Sequence, residues 1–238
     1  YPGVGVNSTS WQYQPSFLTS CNGKLFFGDY SSGGIYGLFA YDGSTITAMS
    51  NLSLYPQYTV CYNNAVYFQA YDPTVGNYDY EVWRSTGTSA STAKFYDAWN
   101  STYLSNGNTY QQSSYPLAFT VAGGKLYFVA NNATNGQELY VSDGTTTSVV
   151  DIYSGVSGSG PTALVAHQGA LWFRANNGTN GNDLMSYDGS TLTARDIVAG
   201  ASGPNWSTST GVVSAGGLLW IQATFGSLGS ELATTDGT

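Results

Sequence analysis

The sequence predicts an all-β chain in which one unit is repeated five times. Three observations predict it. A proline, an apolar anchor, an aliphatic residue and a turn glycine recur in one order; short apolar runs are punctuated by Gly, Asn and Asp; and no segment has helical periodicity with caps. The prolines are Pro15, Pro56, Pro116, Pro161 and Pro204, and the anchors are Phe27, Phe68, Phe128, Phe173 and Ile221. Proline and anchor are 12 residues apart in the first four units and 17 in the last. The aliphatic residues Leu38, Val82, Leu139, Leu184 and Leu232 follow their anchors by 11, 14, 11, 11 and 11 positions. Each reaches its turn glycine (Gly43, Gly87, Gly144, Gly189 or Gly237) five residues later.

The third unit shows each element in order. Leu117 to Ala122 is a short apolar strand ending at Gly123-Gly124, and Lys125 to Ala130 is a second. Asn135-Gly136 is a hairpin signal. Glu138 to Ser142 is a third strand, Asp143-Gly144 a second tight turn, and Thr147 to Ile152 a fourth strand rich in β-branched residues. Four antiparallel strands in a unit of about 45 residues is the size of a propeller blade. The expected architecture is therefore a five-bladed β-propeller, one domain over residues 1–238. Its repeats run approximately over 15–55, 56–115, 116–160, 161–203 and 204–238, the last completed by 1–14. The fifth unit stops after its turn, and the 14 residues before Pro15 have the length of a missing fourth strand, with Val4 to Val6 at its centre. That strand would close its own ring or cover the open edge of a neighbouring molecule. An excerpt of a longer array is the third reading.

The unit resembles the bacterial ELWxxDGT repeat family. The residues that carry the resemblance are Glu138 to Thr145 and Glu231 to Thr238, with weaker matches at Glu81-Val82-Trp83 to Gly87-Thr88 and Asp183-Leu184 to Asp188-Gly189-Ser190. Asp151-Ile152 with Gly155, and Asp196-Ile197 with Gly200, match the family's following loop. The first repeat has Gly37 where the Glu belongs, and the second has Thr86 where the Asp belongs. The resemblance implies a surface or secreted repeat protein and transfers no shared chemistry.

Composition bounds the function. Charged residues are 8% of the chain and the net charge is −8 with six Lys and Arg, so no basic stripe exists for phosphates or anionic lipid, and nucleic-acid binding is not expected. No apolar run has the length of a membrane span, so membrane insertion is not expected either. Sequons stand at Asn7, Asn51, Asn100, Asn132, Asn177 and Asn205. Asn132 and Asn177 each follow their anchor by four residues, which places both on the same hairpin tip of successive repeats. Low charge, 20 tyrosines and these positions suggest an extracellular or cell-surface glycoprotein carrying N-glycans.

Cys21 and Cys61 lie six and seven residues before their anchors, in equivalent innermost strands. The one-residue offset turns them to opposite sheet faces, so in adjacent blades the sulfurs either meet or point apart. An oxidising compartment favours the bond.

Eleven of the 14 acids occupy repeating positions and are expected to serve the repeat. Asp42, Asp143, Asp188 and Asp236 precede turn glycines; Glu81, Glu138, Asp183 and Glu231 open third strands; Asp97, Asp151 and Asp196 end fourth strands. Asp29, Asp72 and Asp79 fall on or near hairpins, a poor place for convergent catalytic carboxylates. His167, the one histidine, is expected to pack between blades. No metal-ligand spacing, nucleophile motif or cofactor signature is present, so no catalytic residue, metal or cofactor is expected. Trp99 and Trp206 fall outside the repeat and are candidate sugar contacts, while Asn100 to Tyr115 reads as a solvated polar loop. The expected function is a non-enzymatic structural or adhesive module, with a homopolymer built by strand exchange as one form of it. A carbohydrate-binding propeller is the alternative.

Overall fold

The computed structural model describes residues 15–31, 33–75, 79–197, 203–204, 206, 211–224 and 229–237. The segment 1–14, proposed from sequence as the closing strand, lies outside them, as do Asn7 and Asn205. The described residues form an all-β fold of six antiparallel sheets with two to four strands each. The chain divides into two compact units, residues 1–117 and 118–238.

In the first unit, one sheet holds β1 (Ser16–Cys21), β2 (Lys24–Tyr30), β3 (Tyr36–Tyr41) and β4 (Ile46–Ala48) in sequence order. A second holds β5 (Gln57–Tyr62), β6 (Ala65–Tyr71), β7 (Tyr80–Ser85) and β8 (Ala93–Tyr96). Residues 100 to 115 are not a plain loop. They fold into the hairpin β9 (Thr102–Ser105) and β10 (Asn108–Gln111). Asn106 and Gly107 both take positive φ, 50° and 79°, which is the backbone a two-residue hairpin turn requires.

In the second unit, β11 (Leu117–Ala122, entering from the unit boundary), β12 (Lys125–Asn132), β13 (Gly136–Ser142) and β14 (Thr147–Val150) make one sheet. β15 (Thr162–His167), β16 (Ala170–Asn176), β17 (Asn182–Tyr187) and β18 (Leu192–Ala194) make another. The last, β19 (Val212–Ala215), β20 (Leu218–Thr224) and β21 (Ser230–Thr235), has three strands among the described residues.

The repeat template explains the core. The anchors Phe27, Phe68, Phe128, Phe173 and Ile221 lie on the second strands and are buried. Each full innermost strand carries the same irregularity two residues after its proline: Phe17, Tyr58, Ala118 and Ala163 have φ between 54° and 56°. Around three of them, Phe17, Tyr58 and Ala163, the register of the strand pair shifts. A bulge at that position is therefore part of the unit.

Cys21 and Cys61 form a disulfide, with their Cα atoms 5.3 Å apart, and so tie β1 to β5. Beside it the Thr19 hydroxyl donates to the Thr59 carbonyl at 3.1 Å, and the Thr59 hydroxyl to the Phe17 carbonyl at 2.6 Å. The innermost strands of the first two sheets thus meet along their length.

Candidate functional site

The acids that open third strands form a frame. Glu138 is fully buried and accepts from the backbone N–H groups of Ile152, Tyr153 and Ser159 and from the Ser159 hydroxyl. Asp183, also fully buried, accepts from Leu184 and Ile197. Glu81 accepts from the Ala98 and Ser114 backbone and the Ser114 hydroxyl. Each carboxylate pins the segment that leaves its sheet. Burial raises the pKa of all three carboxyls, against the lowering effect of these bonds. The acids before turn glycines do the opposite job at the surface. Asp42, Asp143 and Asp188 each accept from the backbone two and three residues on, which lowers their pKa, that of Asp42 to about 2.

The first sheet solves the frame differently. Its third strand has Gly37 where the others have Glu or Asp. The cross-strand partner of the acid is Ala70, Ala130, Ala175 or Ala223 in the other four sheets, but Asp29 faces Gly37. Acid and small residue have exchanged strands. Asp29 is buried and its Oδ1 accepts from the Tyr30 N–H at 2.7 Å.

The second sheet departs from the template more strongly. Asp79 lies in the connection between β6 and β7, near the hairpin as the sequence suggests, but it is fully buried. Counting back three residues from Val82 places it where Gly136, Gly181 and Gly229 stand in later repeats. The longer connection of this repeat therefore returns with an acid pointing inward. Oxygens of Asp79, Glu81 and Asp97 lie within 4.8 Å of one another. The Lys94 ammonium bridges two of them, 3.0 Å from Asp79 and 3.3 Å from Asp97. Burial opposes the charge on Lys94, but the Asp79 bond and both carboxylates outweigh it and raise its pKa. Burial, with Asp97 and Asp79 alongside, lifts Glu81 to about 8, so Glu81 holds its proton at neutral pH. Oδ1 of Asp79 and Oδ1 of Asp97 are buried without a hydrogen-bond partner. Three carboxyls and a lysine brought together in this way form a group that the other repeats do not make among the described residues.

The first unit also carries a row of tyrosines. The rings of Tyr30 and Tyr36 are 4.7 Å apart, Tyr36 and Tyr55 5.3 Å, Tyr55 and Tyr71 5.4 Å, Tyr71 and Tyr80 5.9 Å, and Tyr80 and Tyr115 5.8 Å. Six rings thus touch in succession. Tyr55 and Tyr115 are 36% and 51% exposed, so the row reaches solvent. Glu81 fixes one end of it: by holding Ser114 it seats Tyr115, whose N–H donates to the Tyr80 carbonyl at 3.2 Å.

Other residues singled out from the sequence are placed as follows. The Trp206 Nε1–H donates to the Asn182 carbonyl at 2.8 Å, and the Arg174 guanidinium covers its ring at 4.7 Å. Trp99 is half-buried, beside the Asp97 cluster in sequence. His167 is buried, with Nδ1 2.9 Å from the Ser214 hydroxyl and its ring edge-on to Trp172. Asn51 and Asn100 are exposed. Asn132 and Asn177 are half-buried and cap their own turns, each accepting from the backbone two and three residues on.

No family model matches the chain and no curated protein matches it, so neither comparison supports the resemblance to the ELWxxDGT repeats. Solved structures do match. The β-propeller domain of the Trilobed protease from Pyrococcus furiosus, with an open velcro topology, is 12% identical at a TM-score of 0.50, over 94% of this chain and 67% of that one. TolB from Acinetobacter baumannii is 12% identical at a TM-score of 0.44, over 92% of this chain and 56% of that one. The expectation that the chain is not an enzyme is corrected by the same comparison. Its matches include a puromycin-hydrolyzing peptidase from Mycobacterium tuberculosis (TM-score 0.38, 10% identical, 95% of this chain and 52% of that one). An α-L-arabinofuranosidase from Clostridium thermocellum also matches (TM-score 0.33, 13% identical, 91% and 83%). At these identities the likeness extends to the fold alone: the chain is all-β and shares the fold of β-propeller proteins.

Proposed function

We propose that the chain is a five-bladed, extracellular β-propeller that acts as a structural or adhesive module and assembles through its fifth sheet. One observation carries the reading. Leu38, Val82, Leu139 and Leu184 are at most 1% exposed, whereas their template equivalent, Leu232 on β21, is 65% exposed. Its neighbour Glu231 is exposed as well, where Glu81, Glu138 and Asp183 are fully buried. β21 has no fourth-strand partner among the described residues. A cavity of about 360 Å³ lies beneath it, lined by Trp172, Leu184, Ile197, Ile221 and Ala233. A strand with no fourth partner among the described residues, beside an apolar hollow, invites an added strand. The disulfide supports an oxidising compartment. Exposed Asn51 and Asn100 are the better placed of the sequons for N-glycans.

Leu232→Lys tests the reading, with particle size followed by light scattering and by imaging of the native particle. An assembling module breaks down to monomers when a charge enters the edge. A wild-type chain that is monomeric at all concentrations, with a melting temperature indifferent to the substitution, overturns it. A carbohydrate-binding role is favoured by a different observation, the tyrosine row.

A further inference from the structure

We infer that the tyrosine row of the first unit is a binding surface for neutral polysaccharide. The inference deepens the extracellular reading above by naming a ligand class.

The repeat isolates what the tyrosines are for. Three template positions build the row. Three residues after the anchor stand Tyr30 and Tyr71, but Asn131, Asn176 and Thr224 in the second unit. Two residues before the aliphatic stand Tyr36 and Tyr80, but Gln137, Asn182 and Ser230. Immediately before the proline stand Tyr55 and Tyr115, but Gly160 and Gly203. The backbone does not ask for the rings. Tyr55 donates to the Tyr36 carbonyl, Tyr115 to that of Tyr80, and Gly160 to that of Gln137, the same bond at the same place in three repeats.

The pre-proline position asks for glycine. Its φ is 47° at Tyr55, 47° at Tyr115, 57° at Gly160 and 59° at Gly203. A left-handed backbone costs a tyrosine conformational energy that glycine avoids. The second unit takes the relaxed residue, while the first twice holds an exposed ring in a strained one. Strain kept at an exposed position where the fold offers a strain-free alternative points to use of the side chain.

The chemistry of the row selects the ligand. Ring faces stack on the apolar C–H faces of sugars, and phenol hydroxyls exchange hydrogen bonds with sugar hydroxyls. The two exposed rings, Tyr55 and Tyr115, offer stacking sites to one extended chain, and the rings packed behind them hold them in place. The described cation–ring contacts of the first unit involve Arg84 and Tyr67, which is not in the row. With charged residues at 8% and a net charge of −8, an uncharged polymer fits and a polyanion does not.

The test is affinity electrophoresis of the full chain in gels holding xylan, mannan, galactan or a mixed-linkage glucan. Heparin and a proline-rich peptide serve as competitors, because aromatic surfaces also take polyproline chains. The wild type is expected to be retarded by at least one neutral polysaccharide, and heparin should not compete. Tyr55→Gly and Tyr115→Gly install the residue that the second unit uses. They should keep the melting temperature while weakening retardation at least roughly tenfold, as loss of an aromatic anchor does. Tyr55→Phe, which keeps the ring, should retain most binding. Three results overturn the inference: no retardation by any neutral polysaccharide, capture by the proline-rich peptide instead, or glycine variants that lose stability in step with binding. A wild type that assembles through β21 yet is not retarded sinks the tyrosine row and leaves the module standing.

Discussion

The two halves of the chain answer one backbone template with different chemistry. Residues 118–238 keep the unit plain: alanine two residues after the proline (Ala118, Ala163), glycine before the prolines (Gly160, Gly203), and amides or small hydroxyl residues at the hairpin ends. Residues 1–117 place Phe17, Tyr58, Tyr55 and Tyr115 at those same positive-φ positions. They also hold the disulfide, the buried Asp79–Lys94–Asp97 cluster and an added hairpin. The fifth repeat aside, departures from the template concentrate in the first half, where function is expected to have drawn on stability.

If the disulfide offsets that departure, its removal should fall on the first half. Replacing both Cys21 and Cys61 by serine should cost about 2–4 kcal/mol. Hydrogen exchange should report the loss in β1 to β8, with protection in β12 to β17 unchanged. Equal loss in both halves would show that the chain opens as one body, and the contrast would then be one of surface composition alone.

The second way to sharpen the comparison is pH. The Glu81 carboxyl is raised from its usual value to about 8, while Asp42 is lowered to about 2. The folded chain therefore keeps a proton on Glu81 that the unfolded chain releases near pH 4.5. Stability from this group is full below that pH and falls as pH rises towards 8, by at most about 1.4 kcal/mol per pH unit. The Asp42 turn acts the other way, present above the ordinary carboxylate range and lost as pH falls towards 2. Glu81→Gln should flatten the decline between pH 5 and 8 in thermal melts while sparing the acid limb. A decline that persists in the variant would shift the cause to Glu138 and Asp183, whose carboxyls burial also raises.

Much of this was legible in the chain itself. The proline, anchor and turn-glycine spacing located the strands and the Asp-Gly turns, because each marks a backbone need that few residues meet. The hairpin of residues 102–111 was missed since its polar composition outweighed the Asn106-Gly107 signal between two short runs with facing tyrosines, Tyr103 and Tyr110. The burial of Asp79 is not legible from its place near a hairpin, because three extra residues lengthen that connection; only counting back from Val82 shows that it stands where later repeats have glycine. The tyrosine row was present as three recurring positions, but ring contact between neighbouring repeats is a fact of packing that no spacing within one repeat reveals.

The smallest expected effect is the most specific. Asp29 facing Gly37 is read as the buried acid moved to the opposite strand, with the small residue moved in exchange. If so, the pair is one unit of function split over two positions. Asp29→Ala alone should cost about 1–2 kcal/mol, because it removes the bond from the Tyr30 N–H to a buried carboxyl. Gly37→Glu alone should also destabilise, since it places a second carboxyl against the buried Asp29. The double variant rebuilds the arrangement of the other four sheets, Ala opposite Glu. The first atom of the new side chain fits: a Cβ at Gly37 would meet the Leu52 carbonyl at 3.6 Å, an ordinary contact. The rebuilt glutamate would face the segment after β4, as Glu138 faces Ser159. The double variant should therefore recover at least half of the summed loss, a coupling that a denaturant-melt cycle resolves. Additive losses would mean that Asp29 and Gly37 are unrelated, and that the first sheet holds its outgoing segment without a buried acid.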